Sequence, residues 1–225
     1  MSVYADRPKL LTEMARYDAE VGNAAAKTAI GGMRDVARRA VRAEIAAKAM
    51  ELFLDQGFEE TTVNQIAAGV GMSGRSLFRY FDTKEDMVIG GLVELGHDVA
   101  AALEDQSADE EPWSALRHAL EVCVESLEGD EVGLRRAKML AGTPSLRTAM
   151  LDKQLRWQEL LVPHVEQRLR GSGQPQAGQA RSLQARALVS AALGCLDVAA
   201  TVWTEVEGGR PLTNLVDDAF AAVRS

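Results

Sequence analysis

Apolar residues in this chain recur every three or four positions, and nowhere over a useful length do they alternate one by one. That periodicity excludes a sheet-based architecture and predicts an all-α fold, each helix turning one stripe toward a shared core. Val41, Ile45, Ala49 and Leu52 form such a stripe, and Trp113, Leu116, Leu120, Val124 and Leu127 form another. Abundant Ala and an aromatic content of 5% agree with helix. With 225 residues the chain can bury a sizeable core in one large or two small domains. No apolar run approaches the roughly 20 residues that span a bilayer. The N-terminus lacks the apolar segment of a secretory leader. The expectation is therefore a cytoplasmic protein with no membrane partner. Cys123 and Cys195, two widely spaced thiols, fit small core residues in a reducing compartment.

Three regions are predicted. Residues 1–33 read as an N-terminal extension: Leu10, Leu11, Met14, Tyr17 and Val21 have roughly helical spacing before Gly31-Gly32 interrupts. An added helix packed on the body and a mobile arm both fit. Residues 34–82 read as three short helices, from about Met33 to Asp55, Val63 to Gly69 and Gly74 to Phe81. Residues 83–225 read as a larger helical domain. Its helices are expected to run from Asp82 or Thr83 past Val99, Trp113–Leu127, Val132–Leu140, Pro144–Leu169, Gln179–Val206 and Thr213–Val223, with a loop at Gly171–Gly178.

The second and third helices carry the most specific local signals. Thr62 with Gln65 three residues on is a capping box. Gly71 permits a tight turn, and Ser73 caps the next helix. Ala67 is small where two helices must touch, and Leu77 points back to the core. These are the parts of a helix-turn-helix. At about 100° per residue, Arg75 and Arg79 fall about 160° and about 200° from Leu77, away from the core. Two guanidiniums on the free face of such a helix suit guanine edges in a major groove; solvated surface arginines are the alternative. Hydroxyls at Thr62, Ser73, Ser76 and Tyr80 suit phosphate oxygens. Lys84 starts the following helix, where the dipole disfavours a cation, and a nearby phosphate explains it. Arg38, Arg39 and Arg42 add a basic cluster.

The formal charge of −8 argues against nucleic acid on bulk grounds. The acid is unevenly placed, however. Residues 34–88 hold 8 Lys/Arg against 9 Asp/Glu, and residues 89–225 hold 13 against 20.

The run GFEETTVNQIAAGVGMSGRSLFRYFDTKEDMV resembles the DNA-binding domain of the tetracycline-repressor (TetR) family of bacterial regulators. The match covers about residues 36–90. Its marks are Gly57-Phe58, Thr62-Val63-x-x-Ile66-Ala67, Gly71-x-Ser73 and Leu77-Phe78-x-Tyr80-Phe81-x-x-Lys84-Glu85. The resemblance implies about nine helices, an N-terminal helix-turn-helix domain, and a larger C-terminal domain for ligand binding and dimerisation. It implies a homodimer on palindromic double-stranded DNA, released by a small-molecule effector. It also implies that Gly74 and Arg75 read bases, that Ser76, Phe78, Tyr80 and Lys84 contact phosphates, and that Asn64 faces DNA. Phe78 departs from a position that is often Tyr, so one phosphate hydrogen bond is lost.

Beyond residue 90 the resemblance fades. Leu183, Ala187, Ala191, Cys195 and Val198, with Leu215 and Phe220 on the last helix, are expected to form a four-helix dimer interface. The other reading is that these stripes close the monomer core. Trp113, Met139, Trp157, Leu160 and Phe220 could line an effector cavity, with His118 or His164 as polar anchors, and each also reads as plain core. An apolar effector is expected. No residue pattern suggests a metal site, a cofactor or an enzyme. A helical partner-binding scaffold, or an activator of the same fold, are the competing functions.

Overall fold

A computed structural model of the chain describes residues 36–129, 132–171 and 178–224. The expected N-terminal extension and most of the Gly171–Gly178 loop lie outside these residues. The regular structure among the described residues is all helix, with no strand among them. The chain divides into two compact units, Met1–Ile45 and Ala46–Ser225. Of the first, residues 36–45 are described, all in helix.

Helix α1 covers residues 36–56. Ile45, Ala49 and Phe53 are its buried positions, so the stripe drifts from Leu52, which is half-buried, to Phe53. Gly57, at φ +97°, ends the helix in the left-handed region that favours glycine. The Phe53 and Phe58 rings then meet at 4.8 Å and 50°.

Helix α2, Val63–Gly69, carries the expected capping box. Thr62 N donates to Gln65 Oε1 at 2.7 Å, and Gln65 N donates to Thr62 Oγ1 at 3.3 Å. Gly71, at φ +69°, makes the turn. Helix α3, Gly74–Leu77, begins at Ser73, whose hydroxyl accepts from Ser76 N. It is shorter than expected. Arg79 N bonds Ser76 O and Tyr80 N bonds Leu77 O, three-residue spacings that tighten the chain after one turn. Ala67 and Leu77 are buried as the sequence requires.

Helix α4, Lys84–Asp105, is capped by Thr83, which exchanges hydrogen bonds with Asp86. The expected Trp113–Leu127 helix is two helices, α5 (Pro112–Ala119) and α6 (Glu121–Glu128). Leu120 separates them. Its ψ of −6° tightens the bonding, and Cys123 N reaches Leu120 O at 3.0 Å. Helices α7 (Gly133–Gly142), α8 (Pro144–Gly171), α9 (Gly178–Glu205) and α10 (Leu212–Arg224) follow.

Helix α8 packs on both α4 and α9, and α10 packs on α9. Trp157 of α8 fixes the first of these contacts. Its indole Nε1 donates to Leu92 O of α4 at 3.1 Å, and a Cβ placed on Gly96 would lie 2.5 Å from that nitrogen. Glycine at 96 therefore lets the helices approach this closely. Helix α9 is long and apolar enough, by length and composition, to cross a bilayer, contrary to the reading of the sequence. Ala185, Val189, Ala192, Leu193 and Leu196 are buried in the helical core.

Candidate functional site

The start of α2 and the start of α3 share one concave surface, lined by Thr62, Val63, Asn64, Gly74, Arg75 and Phe78. Their closeness depends on Gly74, because a Cβ there would stand 2.7 Å from Asn64 Oδ1. Arg75 is exposed at this surface, and the Phe78 ring is 52% exposed beside it. Arg79 is exposed too, but it lies beyond the helical turn and does not line the concavity. The shared free face of the two arginines requires a helix to Phe81, and α3 ends at Leu77.

The hydroxyls are partly committed within the chain. Thr62 Oγ1 lies 2.8 Å from Gln65 Oε1, and the Ser73 and Ser76 hydroxyls are 2.9 Å apart. Tyr80 is half-buried. Arg38 and Arg39 are exposed and Arg42 half-buried on the N-terminal half of α1.

Lys84 makes its contacts within the chain. Its ammonium donates to Phe58 O at 2.7 Å and Thr61 O at 3.2 Å, with Glu59 O at 3.5 Å, and sits 4.3 Å over the Phe58 ring. An ammonium has three donors. These carbonyls are favourable partners for a cation at the start of α4. Lys84 thereby ties α4 to the turn between α1 and α2.

A second concavity, of about 350 Å³, lies among α4, α6, α7, α8 and α9. Of the expected effector-lining residues only Trp157 lines it. Trp113 and Phe220 instead stack on each other in the core, with centroids 4.4 Å apart. His118 is exposed and faces Glu110 at 2.7 Å, and His164 faces Glu104 at 3.1 Å. Leu160 packs at the edge of the core, and Met139 is half-buried away from the cavity. The apolar wall comes from Leu92, Leu95, Leu127, Leu140, Leu151 and Leu196.

The same wall carries Lys153, Asp197, Arg136, Arg147 and Cys123. Sequence reasoning passed over the four charged residues and read Cys123 as a small core residue. Lys153 is only 6% exposed, and its ammonium lies 4.3 Å over the Trp157 ring. Burial pushes its pKa down, partly opposed by the Asp197 carboxylate. Burial pushes Asp197 up, partly opposed by Lys153. The Cys123 thiol is pushed up to about 12, chiefly by burial. The signal was present in α8: Lys153 interrupts the core stripe of Leu146, Trp157, Leu161 and Val165.

A larger cavity of about 590 Å³ lies between α1 and α4 and shares Leu92, Leu95, Ser126 and Arg136 with the first. At its rim Arg135 donates to Leu54 O and lies 3.7 Å from Asp55.

The expected dimer residues fall into two groups. Leu183, Ala187 and Val198 are exposed along α9 and Ala191 is half-buried beside them. Cys195, Leu215 and Phe220 are buried in the monomer core, so they belong to the fold rather than to an outer face.

The architecture defines a class, helical proteins that join a helix-turn-helix head to a cavity of small-molecule size. Comparison with known proteins narrows it. Residues 45–89 match the family described as bacterial regulatory proteins, tetR family, and residues 110–225 match the MftR C-terminal domain. The chain belongs to the tetR family of bacterial regulatory proteins. It is 35% identical over 129 residues to the HTH-type transcriptional regulator TcmR of Streptomyces glaucescens, covering 54% of this chain and 57% of that one. It is 27% identical over 128 residues to the putative mycofactocin biosynthesis transcriptional regulator MftR of Mycobacterium tuberculosis, covering 56% and 65%. The matches thus span less than two thirds of either relative. Among solved structures, FadR of Bacillus subtilis with stearoyl-CoA superposes with a TM-score of 0.55 at 18% identity, covering 79% of this chain and 95% of that one. Thermus thermophilus FadR with lauroyl-CoA gives 0.51 at 24%, covering 80% and 91%. At these identities the likeness concerns the fold alone.

Proposed function

We propose that this chain is a cytoplasmic, non-enzymatic transcriptional regulator. It binds a palindromic operator as a homodimer and is released from it by a small apolar effector. The observation that carries the reading is the concave surface at α2 and α3, where Arg75 and Phe78 are exposed together within the matched segment. A planar guanidinium bonds both acceptors of a guanine edge, and an exposed phenyl ring suits a thymine methyl. The outer stripe of α9 supports the dimer. Leu183 and Val198 are among the most exposed large apolar residues, and a groove of Trp113, Ala187, Leu188, Ala191 and Val223 lies on the same face.

Effector and DNA sites are linked through one continuous helix and two contacts. Helix α4 runs unbroken from the head to the cavity wall at Leu92 and Leu95. Trp157 holds Leu92 O from the cavity side, and Arg135 of α7 holds the C-terminal end of α1. An effector that moves Trp157 moves α4 and so alters the spacing of two reading helices that must match about 34–36 Å of DNA. It works only by favouring the geometry that DNA does not. The bound acyl-CoAs of the FadR structures make a fatty-acyl body one candidate. Selection of bound sequences from random DNA tests the reading. A two-fold-symmetric site is expected, and salt-insensitive binding without sequence preference would refute it.

A further inference from the structure

The 350 Å³ cavity has an apolar wall, but it is not electrically neutral. Arg136, Arg147 and Lys153 line it against a single carboxylate, Asp197. The arginines have backbone partners: Arg136 Nη2 donates to Ser126 O at 2.7 Å and Arg147 Nη1 to Ala141 O at 3.0 Å. Lys153 has none. Among the described residues no carboxylate lies within 4.0 Å of its ammonium, and no carbonyl or hydroxyl accepts from it. The Trp157 ring face lies under it, and the Asp197 carboxylate acts on it from beyond 4.0 Å. A buried ammonium with a ring face beneath it and its carboxylate out of hydrogen-bond range is costly unless something completes its hydrogen bonds. Lys153 is also deep, so a ligand reaches it only by entering the cavity.

We propose that Lys153 is the counter-charge for an effector with an apolar body and one carboxylate, bound with the carboxylate inside the cavity. This rests on the effector-responsive reading above and names the ligand class. The body packs against Leu92, Leu95, Leu127 and Leu140, and the carboxylate takes the N–H donors of Lys153 on the side away from the Trp157 ring. The arrangement disfavours a coenzyme A thioester of the same acid. Such a ligand keeps its phosphates at the mouth and brings only a neutral thioester inward, leaving Lys153 uncompensated. The carboxylate also competes with the ring for Lys153, which relays binding to Trp157 and hence to α4.

Direct binding is measured with decanoate and 2-naphthoate, with decan-1-ol and 2-naphthylmethanol as neutral partners, and with decanoyl-CoA. The wild type, Lys153→Met and Lys153→Arg are compared. At least one acid is expected to bind the wild type about tenfold to a hundredfold more tightly than its alcohol, as a charge-assisted bond requires. Lys153→Met should erase that preference and leave alcohol affinity unchanged or improved. Lys153→Arg should keep it. Equal affinity for acid and alcohol in the wild type overturns the proposal, as does unchanged acid affinity in Lys153→Met. Tighter binding of decanoyl-CoA than of decanoate, insensitive to Lys153→Met, also overturns it. Operator binding is measured on the same samples. If DNA binds and neither acid does, this inference fails while the regulator reading stands; if DNA does not bind, that reading fails.

Discussion

Replacing Gly96 by Ala separates helix propensity from tertiary packing, because the two demand opposite signs. Judged by propensity alone, Ala in the middle of α4 stabilises by about 1 kcal/mol. The structure opposes this. The new Cβ would stand 2.5 Å from Trp157 Nε1, 2.8 Å from Cδ1 and 3.0 Å from Cε2, three atoms of one rigid ring that is 2% exposed. Moving that ring costs about 1–3 kcal/mol of overpacking. It also pulls Nε1 from Leu92 O, and a buried donor left unsatisfied costs about 1–3 kcal/mol more. The net expectation is a loss of about 1–5 kcal/mol, and at this chain length each 1 kcal/mol lowers Tm by about 2–4 °C. Gly91 in the same helix is the control, because a Cβ there meets nothing within 4 Å. Thermal and urea unfolding followed by circular dichroism should show Gly91→Ala neutral or stabilised and Gly96→Ala destabilised. Equal or greater stability of Gly96→Ala would refute the packing argument, and with it the claim that Trp157 is wedged against α4.

Arg75→Ala should cost about 1–3 kcal/mol on the selected site and relax preference at one base pair per half-site; a uniform loss over all site variants in a binding titration would make it a phosphate contact instead. Lys84→Met should lower stability by about 1–3 kcal/mol in urea unfolding, because three carbonyls lose a charged donor, while the salt slope of DNA binding stays unchanged. A slope that falls by about one unit would return Lys84 to the phosphates. Val198→Glu adds charge to a residue already 60% exposed, so monomer stability should hold while light scattering reports loss of the dimer. For Cys123 the native thiol titrates at about 12 against an ordinary value of 9.0. Both states keep the proton below the lower value, and only the unfolded state loses it between the two. Stability should therefore fall as pH rises across that window, less steeply in Cys123→Ala, and the native thiol should resist alkylation near pH 8.

Short-range chemistry was legible in the sequence wherever one residue type answers one local demand. Thr62 with Gln65, Ser73 and Gly71 each specify a cap or a turn through bonds that close within three or four residues. The turn between α2 and α3, the buried Ala67 and Leu77, and most helix boundaries followed from such signals. The exposure of Arg75 was legible for the same reason, since one helical turn carries the direction from Leu77. That of Arg79 came out right on the wrong ground, because the helix ends before it.

What the sequence alone could not supply were choices made by partners far along the chain. Lys84 reads as a misplaced cation until the Phe58 and Thr61 carbonyls, more than twenty residues away, come into reach. Trp113 and Trp157 look equivalent as aromatics on helical stripes. Which one stacks on Phe220 and which lines a cavity is decided by helix crossings. Cys195, Leu215 and Phe220 share an apolar pattern with Leu183 and Val198, yet helix contacts turn the first three inward and leave the others exposed. Lys153 was visible as a charge at a core position. That it lines a cavity it shares with Asp197 was decided by the packing of α8 against α4 and α9. Periodicity fixes which residues share a stripe; only the docking of one helix on another decides what that stripe meets.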